Sequence, residues 1–74
     1  MAKPKKAHAR RTSGNVYDVT YPGTRELDRD VSGEYLSQLV RSGYEVECDN
    51  GGHESPRHEV GRLVNGEVTW TPLP

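Results

Sequence analysis

The stretch VYDVTYPGTRELDRDVSGEYLSQLVRSGYEVE, residues 16–47, decides the fold, because its hydrophobic period changes twice within 32 residues. Tyr17, Val19 and Tyr21 alternate with Asp18 and Thr20, the two-residue period of a half-buried strand. Pro22-Gly23 suits the centre of a type II turn, where proline presets one φ and glycine supplies the positive one. TRELDRD, 24–30, then reads as a short returning strand with Leu27 inward. Beyond it Val31, Tyr35, Leu36, Leu39 and Val40 recur on one face at helical period. Asp30 or Ser32 stands at the N-cap, and Asp28, Asp30 and Glu34 complement the positive end of the helix dipole. Arg41 lies near the C-terminal end, and Gly43 holds the left-handed position that closes a helix. Tyr44, Val46 and Cys48 then alternate with Glu45 and Glu47, which is strand again.

Downstream, DNGGHESPRH (49–58) is a polar loop, and RLVNGEVTW (62–70) places Asn-Gly between two β-type runs. That dipeptide predicts a two-residue type I′ hairpin in which Leu63 faces Val68 and Gly61 faces Trp70. TPLP, 71–74, ends the strand, since proline donates nothing to a ladder. Upstream, MAKPKKAHARRTSG (1–14) shows no apolar period and carries Lys3, Lys5, Lys6, Arg10 and Arg11 with no acid. It reads as an extended basic arm, disordered or ordered only on a partner. Residues 15–74 hold five Arg, no Lys and all eleven carboxylates, so a +5 segment precedes a −6 body.

The expected product is α+β: a small antiparallel sheet of three to five strands with one short helix packed on it, plus the arm. Residues 15–74 would form that single domain, ending in the hairpin and a Pro-rich tail. Its core would draw on Tyr17, Val19, Leu27, Tyr35, Leu36, Leu39, Val46, Leu63, Val68 and Trp70. Only 31% of the 74 residues are hydrophobic, with no Phe, so association with a partner or a second copy is the expected remedy.

Several classes are set aside by the same reading. No apolar run reaches the ~18–20 residues of a membrane span, and the basic N-terminus lacks the apolar core of a signal peptide. Cys48 is the sole cysteine, so no intramolecular disulfide is available, which fits a reducing compartment or a virion assembled in one. A domain this small seldom encloses the ~300–1,000 Å³ of a substrate pocket. Neither an enzyme nor a cofactor is expected.

Cys48, His53 and His58 are spaced C-x4-H-x4-H, looser than the paired spacings of structural zinc, and need a fourth ligand from Asp49, Glu54 or His8. The plainer reading puts Cys48 inward on a strand and the histidines in a solvated loop. A Cys–His nucleophile would need an oxyanion site and a cleft as well. Asp28, Asp30, Glu34, Glu45 and Glu47 make no carboxylate dyad and read as a solvated acidic surface. The arm's five charges would bind a polyanion in a salt-dependent, sequence-independent way. Tyr17, Tyr21, Tyr35, Tyr44 and Trp70 exceed what so small a core buries, which makes them candidate interface anchors.

Residues 16–47 resemble a pattern found among very short head and tail morphogenesis proteins of tailed phages. The pattern is a strand, a turn with a charged second strand, a short helix, and a Gly-aromatic exit into another strand. Tyr17–Tyr21, Leu27, Val31–Val40 and Gly43-Tyr44 carry it here. The resemblance implies a non-enzymatic virion component, a capsid-decorating or minor head protein, and transfers no functional residue. Its partners would be the major capsid protein or other virion proteins, reached through the arm and tail, with localisation in the virion. The alternative is a nucleic-acid- or ribosome-associated accessory protein tethered by the arm. A third reading is an inhibitor or adaptor whose acidic face mimics a polyanion.

Overall fold

The basic segment is a strand, and it lies at the middle of the sheet. In the computed structural model, which describes residues 5–52 and 56–73, Lys5–Ser13 forms β1. It is followed by β2 (Val16–Thr20), β3 (Leu27–Ser32), helix α1 (Gly33–Arg41), β4 (Tyr44–Asp49), β5 (His58–Val64) and β6 (Glu67–Pro72). The strand order is β3-β2-β1-β4-β5-β6. Four of the five pairings are antiparallel, while β1 and β4 run parallel.

The expected three-to-five-stranded antiparallel sheet with a separate arm is thereby corrected to a six-stranded mixed sheet under one helix. Two physical causes account for the difference. Ala7 and Ala9 alternate with Lys6, His8 and Arg10, but alanine is a poor strand former and too small to signal an apolar face. A strand–helix–strand connection also returns the chain in its original direction, which demands a parallel neighbour for β4. The boundary expected at residue 14 falls in the β1–β2 turn, inside one domain.

One face of the sheet receives the helix. Ala7, Ala9, Val19, Val46 and Cys48 lie beneath it, and Leu36, Leu39 and Val40 close on them from above. The small alanines let α1 approach the centre of the sheet. Val31, expected on the helix, sits in β3, and Ser32 is the N-cap with no side-chain bond of its own. The cap is supplied from a distance: the Gly33 N–H donates to Asn15 Oδ1 at 3.1 Å, from the β1–β2 turn. Gly43 adopts φ 102°, as a closing residue should.

The hairpin register matches expectation, with Leu63 opposite Val68 and Gly61 opposite Trp70. Asn65 and Gly66 have φ 51° and 82°, the two positive values of a type I′ turn. Leu27 and Leu63, expected in the core, are exposed instead. Leu27 pairs with Thr20 on the face turned away from the helix, and Leu63 stands across an open cleft from Val40 and Gly43 instead of packing on the helix. No helix among the described residues is long and apolar enough to cross a membrane.

Candidate interaction surface

Across β1 and β4 the face opposite the helix carries a lattice of alternating charge, beside the buried Val60 of β5. Lys6 pairs with Glu45, His8 with Glu47, and Arg10 with Asp49 on one side and Asp18 on the other. Arg62 Nε donates to Glu45 Oε2 at 3.2 Å, which continues the first row. Asp49 is held below the usual carboxylate range, first by the Gly51 N–H it accepts at 2.8 Å, then by the positive neighbours His58, Arg57 and Arg10, against its burial. Basic β1 therefore lies beside acidic β4, and the opposed charges of the two halves meet across a strand pair. Lys5 and Arg11 point to the helix face. Lys5 Nζ stands 5.6 Å from the Tyr44 ring centroid, and Arg11 Nε donates to the Gly14 carbonyl at 2.5 Å. Lys3 lies outside the described residues.

Three of the five candidate aromatic anchors are used internally. The Tyr21 and Tyr35 hydroxyls both donate to Asp28 Oδ2, at 2.5 and 2.7 Å, and Tyr21 meets Tyr44 edge-on at 5.8 Å between centroids. Burial, then the bond to Asp28, pushes the Tyr21 phenol far above its ordinary value. The Tyr35 phenol also rises: its bond with Tyr21 lowers it, but the bond to Asp28, burial and the charges of Asp28 and Tyr44 outweigh that. The hydrogen bonds from Tyr21 and Tyr35 hold Asp28 below the carboxylate range. Asp28 is thus half-buried under two phenols and not on the solvated acidic surface expected for it. Its alternation with Leu27 and its bond to two tyrosines seven residues away on either side are visible only once the bulge in β3 is known.

The other two aromatics, Tyr17 and Trp70, line a cleft of about 240 Å³ beside the start of α1, with Gly33, Leu36, Cys48, Asn50 and Glu59. Cys48 donates to Asn50 Oδ1 at 3.4 Å, and Asn50 Nδ2 donates to the Pro56 carbonyl and to Glu59 Oε2 at 2.9 and 3.2 Å. The buried polar groups here are thus engaged in binding the 50–59 loop. Cys48 points to the helix face, whereas His58 pairs with Asp49 on the open face, so the two diverge. His53 and Glu54 lie outside the described residues. Among the described residues no group of three or more His, Cys, Asp or Glu is placed to hold a metal ion.

Trp70 lies flat across Gly61, and a Cβ built there would fall 2.7, 2.8 and 3.0 Å from three ring carbons. Gly61→Ala is accordingly expected to push the ring outward, cost about 1–2 kcal/mol, and red-shift the emission of this sole tryptophan. Unchanged emission and an unchanged denaturation midpoint would show that the ring does not rest there.

Beside Trp70, Val68 is half-buried and Leu63 is 46% exposed, all three on the helix side of the sheet. This apolar strip runs to the outer edge of β6, where among the described residues no further strand pairs. Comparison with protein-family models, with curated proteins and with solved structures finds no match to this chain.

Proposed function

We propose that the protein is a non-enzymatic structural subunit that works by adhesion, a virion component of the tailed-phage kind that residues 16–47 resemble. One observation carries the adhesive part. Helix α1 reaches across the sheet as far as β6, yet Val68 and Trp70 are only partly buried against the core and Leu63 is 46% exposed. Leu63, Val68 and Trp70 form an apolar strip that ends at an edge with no further paired strand among the described residues. Such a strip at an open edge is the surface a neighbouring subunit would cover. The arm no longer supplies the contact, because residues 5–13 are committed to the sheet.

The test is particle composition. The chain is expected at a fixed ratio to the major capsid protein in particles purified from producing cells, and to survive a high-salt wash. Its absence from such particles would overturn the virion reading. A salt-series gel shift of the intact chain against Lys6→Gln/Arg10→Gln addresses the nucleic-acid alternative. Each of those cations has a carboxylate neighbour, so little affinity is expected from either protein.

A further inference from the structure

The two edges left open among the described residues differ in how they are guarded. Edge strand β3 carries Asp28, Arg29 and Asp30, and a register shift opposite Tyr17–Val19 breaks its line. Asp30 there adopts a left-handed φ of 55° and donates its N–H to Asp18 Oδ1 at 3.2 Å. Charge and a bulge are the usual devices against edge-to-edge pairing. Edge strand β6, EVTWTP, has one charge, no bulge in its register, and a proline only at its last position.

The hairpin also decides which backbone groups of β6 are in use. Val64 and Glu67 flank a two-residue loop and so form a hydrogen-bonded pair, followed alternately by Arg62 with Thr69 and Val60 with Thr71. The Leu73 N–H, donating to the His58 carbonyl at 2.9 Å, continues the series. Val68 and Trp70 consequently direct both backbone groups to the open edge.

We infer that β6 pairs antiparallel with β6 of a second copy of this chain, about a two-fold axis through Thr69. In that register Val68 exchanges two hydrogen bonds with Trp70 of the other copy, and Trp70 with its Val68, so the outward groups of both residues are satisfied. Glu67, the strand's one charge, meets a neutral threonine, Thr71, and no like charges oppose one another. Pro72 falls opposite Gly66, outside the four central bonds, where its missing N–H matters least. On the helix side Trp70 of each copy comes to lie opposite Val68 of the other, which continues the half-buried strip across the two-fold axis. A two-fold contact of this kind is self-limiting, since it uses the unguarded edge of both copies and leaves only the two guarded ones.

The inference rests on the same adhesive strip as the proposed function, but the two fail separately. Sedimentation of the intact chain across the micromolar range is expected to show its mass rising from 8.3 kDa to twice that. Thr69→Cys, exposed and on the axis, places two cysteines in a non-hydrogen-bonded pair, within disulfide reach, and is expected to yield a covalent dimer on mild oxidation. Glu67→Cys places them roughly 13 Å apart at ~3.4 Å per residue and is expected not to. Val68→Pro removes an N–H that the chain's own ladder does not use, and is expected to keep the circular dichroism while weakening self-association at least tenfold. A mass of 8.3 kDa throughout with no covalent dimer from Thr69→Cys would overturn the inference, as would equal cross-linking of Glu67→Cys. A dimer that is missing from particles overturns the virion reading and leaves this one standing; a monomer found in particles does the reverse.

Discussion

Deletion of residues 1–14 is expected to abolish folding altogether. β1 is paired along most of its length with β2 on one side and β4 on the other, so its loss cuts the sheet into β3-β2 and β4-β5-β6. At about 1 kcal/mol net for each ladder bond, the loss rivals the roughly 4–11 kcal/mol total stability of a chain this size. It also removes Ala7 and Ala9, which are 2% and 0% exposed, from beneath α1, and leaves Val19 and Val46 without cover between them. The truncated chain should show no cooperative thermal transition and a far-ultraviolet spectrum without native strand signal. A solvated arm makes the opposite forecast, a melt within a degree or two of the full chain, and that outcome would remove β1 from the sheet. Truncation is therefore no test of nucleic-acid binding, since any loss it caused would follow from unfolding. Lys6→Gln/Arg10→Gln isolates the charge, because both residues are exposed and each is expected to cost at most about 0.5 kcal/mol.

What could be read from the sequence was the part where period and side-chain size agree. Tyr17 to Tyr21, Tyr44 to Cys48 and the Asn65-Gly66 hairpin have bulky residues at strict alternation, and their strands and register follow. The helix was legible except at its start, where Val31 fits both periods and Asn15, eighteen residues upstream, supplies the cap. The central strand was hidden because its inward residues are alanines, whose smallness is what the overlying helix requires. The charges conceal the strand in the same way. Separated along the chain, +5 and −6 look like two bodies with different partners; folded, Lys6, His8 and Arg10 stand against Glu45, Glu47 and Asp49. Of the candidate anchors, Trp70 and Tyr17 border the open cleft, while Tyr21, Tyr35 and Tyr44 are committed to a corner of the core. Burial of a tyrosine ring with its hydroxyl on a carboxylate leaves no local trace, because Asp28 and its partners lie seven residues apart.

That corner makes stability depend on pH from both sides. Asp28 has a folded pKa below its unfolded value near 4, so its contribution is whole above about pH 4 and is lost as pH falls through the folded value. Tyr21 has a folded pKa raised above its unfolded value near 10, so its contribution is whole below about pH 10 and declines as pH rises beyond that. Asp28→Ala deprives both phenols of their acceptor. Two bonds to a charged group would be worth about 3–6 kcal/mol if fully buried, and water at the half-exposed carboxylate reduces that to about 2 kcal/mol. The melting temperature should fall by roughly 8–16 °C for a domain of this length. Asp28→Asn keeps an acceptor oxygen without the charge, so it should cost about half as much and flatten the acid limb. Asp49, whose pKa is also lowered, keeps part of that limb in place. Tyr21→Phe should shrink the alkaline limb, of which Tyr35, also raised, keeps a part, and leave most of the acid one, since Tyr35 still donates to Asp28 at 2.7 Å. A melting temperature and pH profile unchanged in Asp28→Ala would mean that the carboxylate is solvated in the folded protein and that the two phenols are satisfied by each other across their 3.4 Å contact.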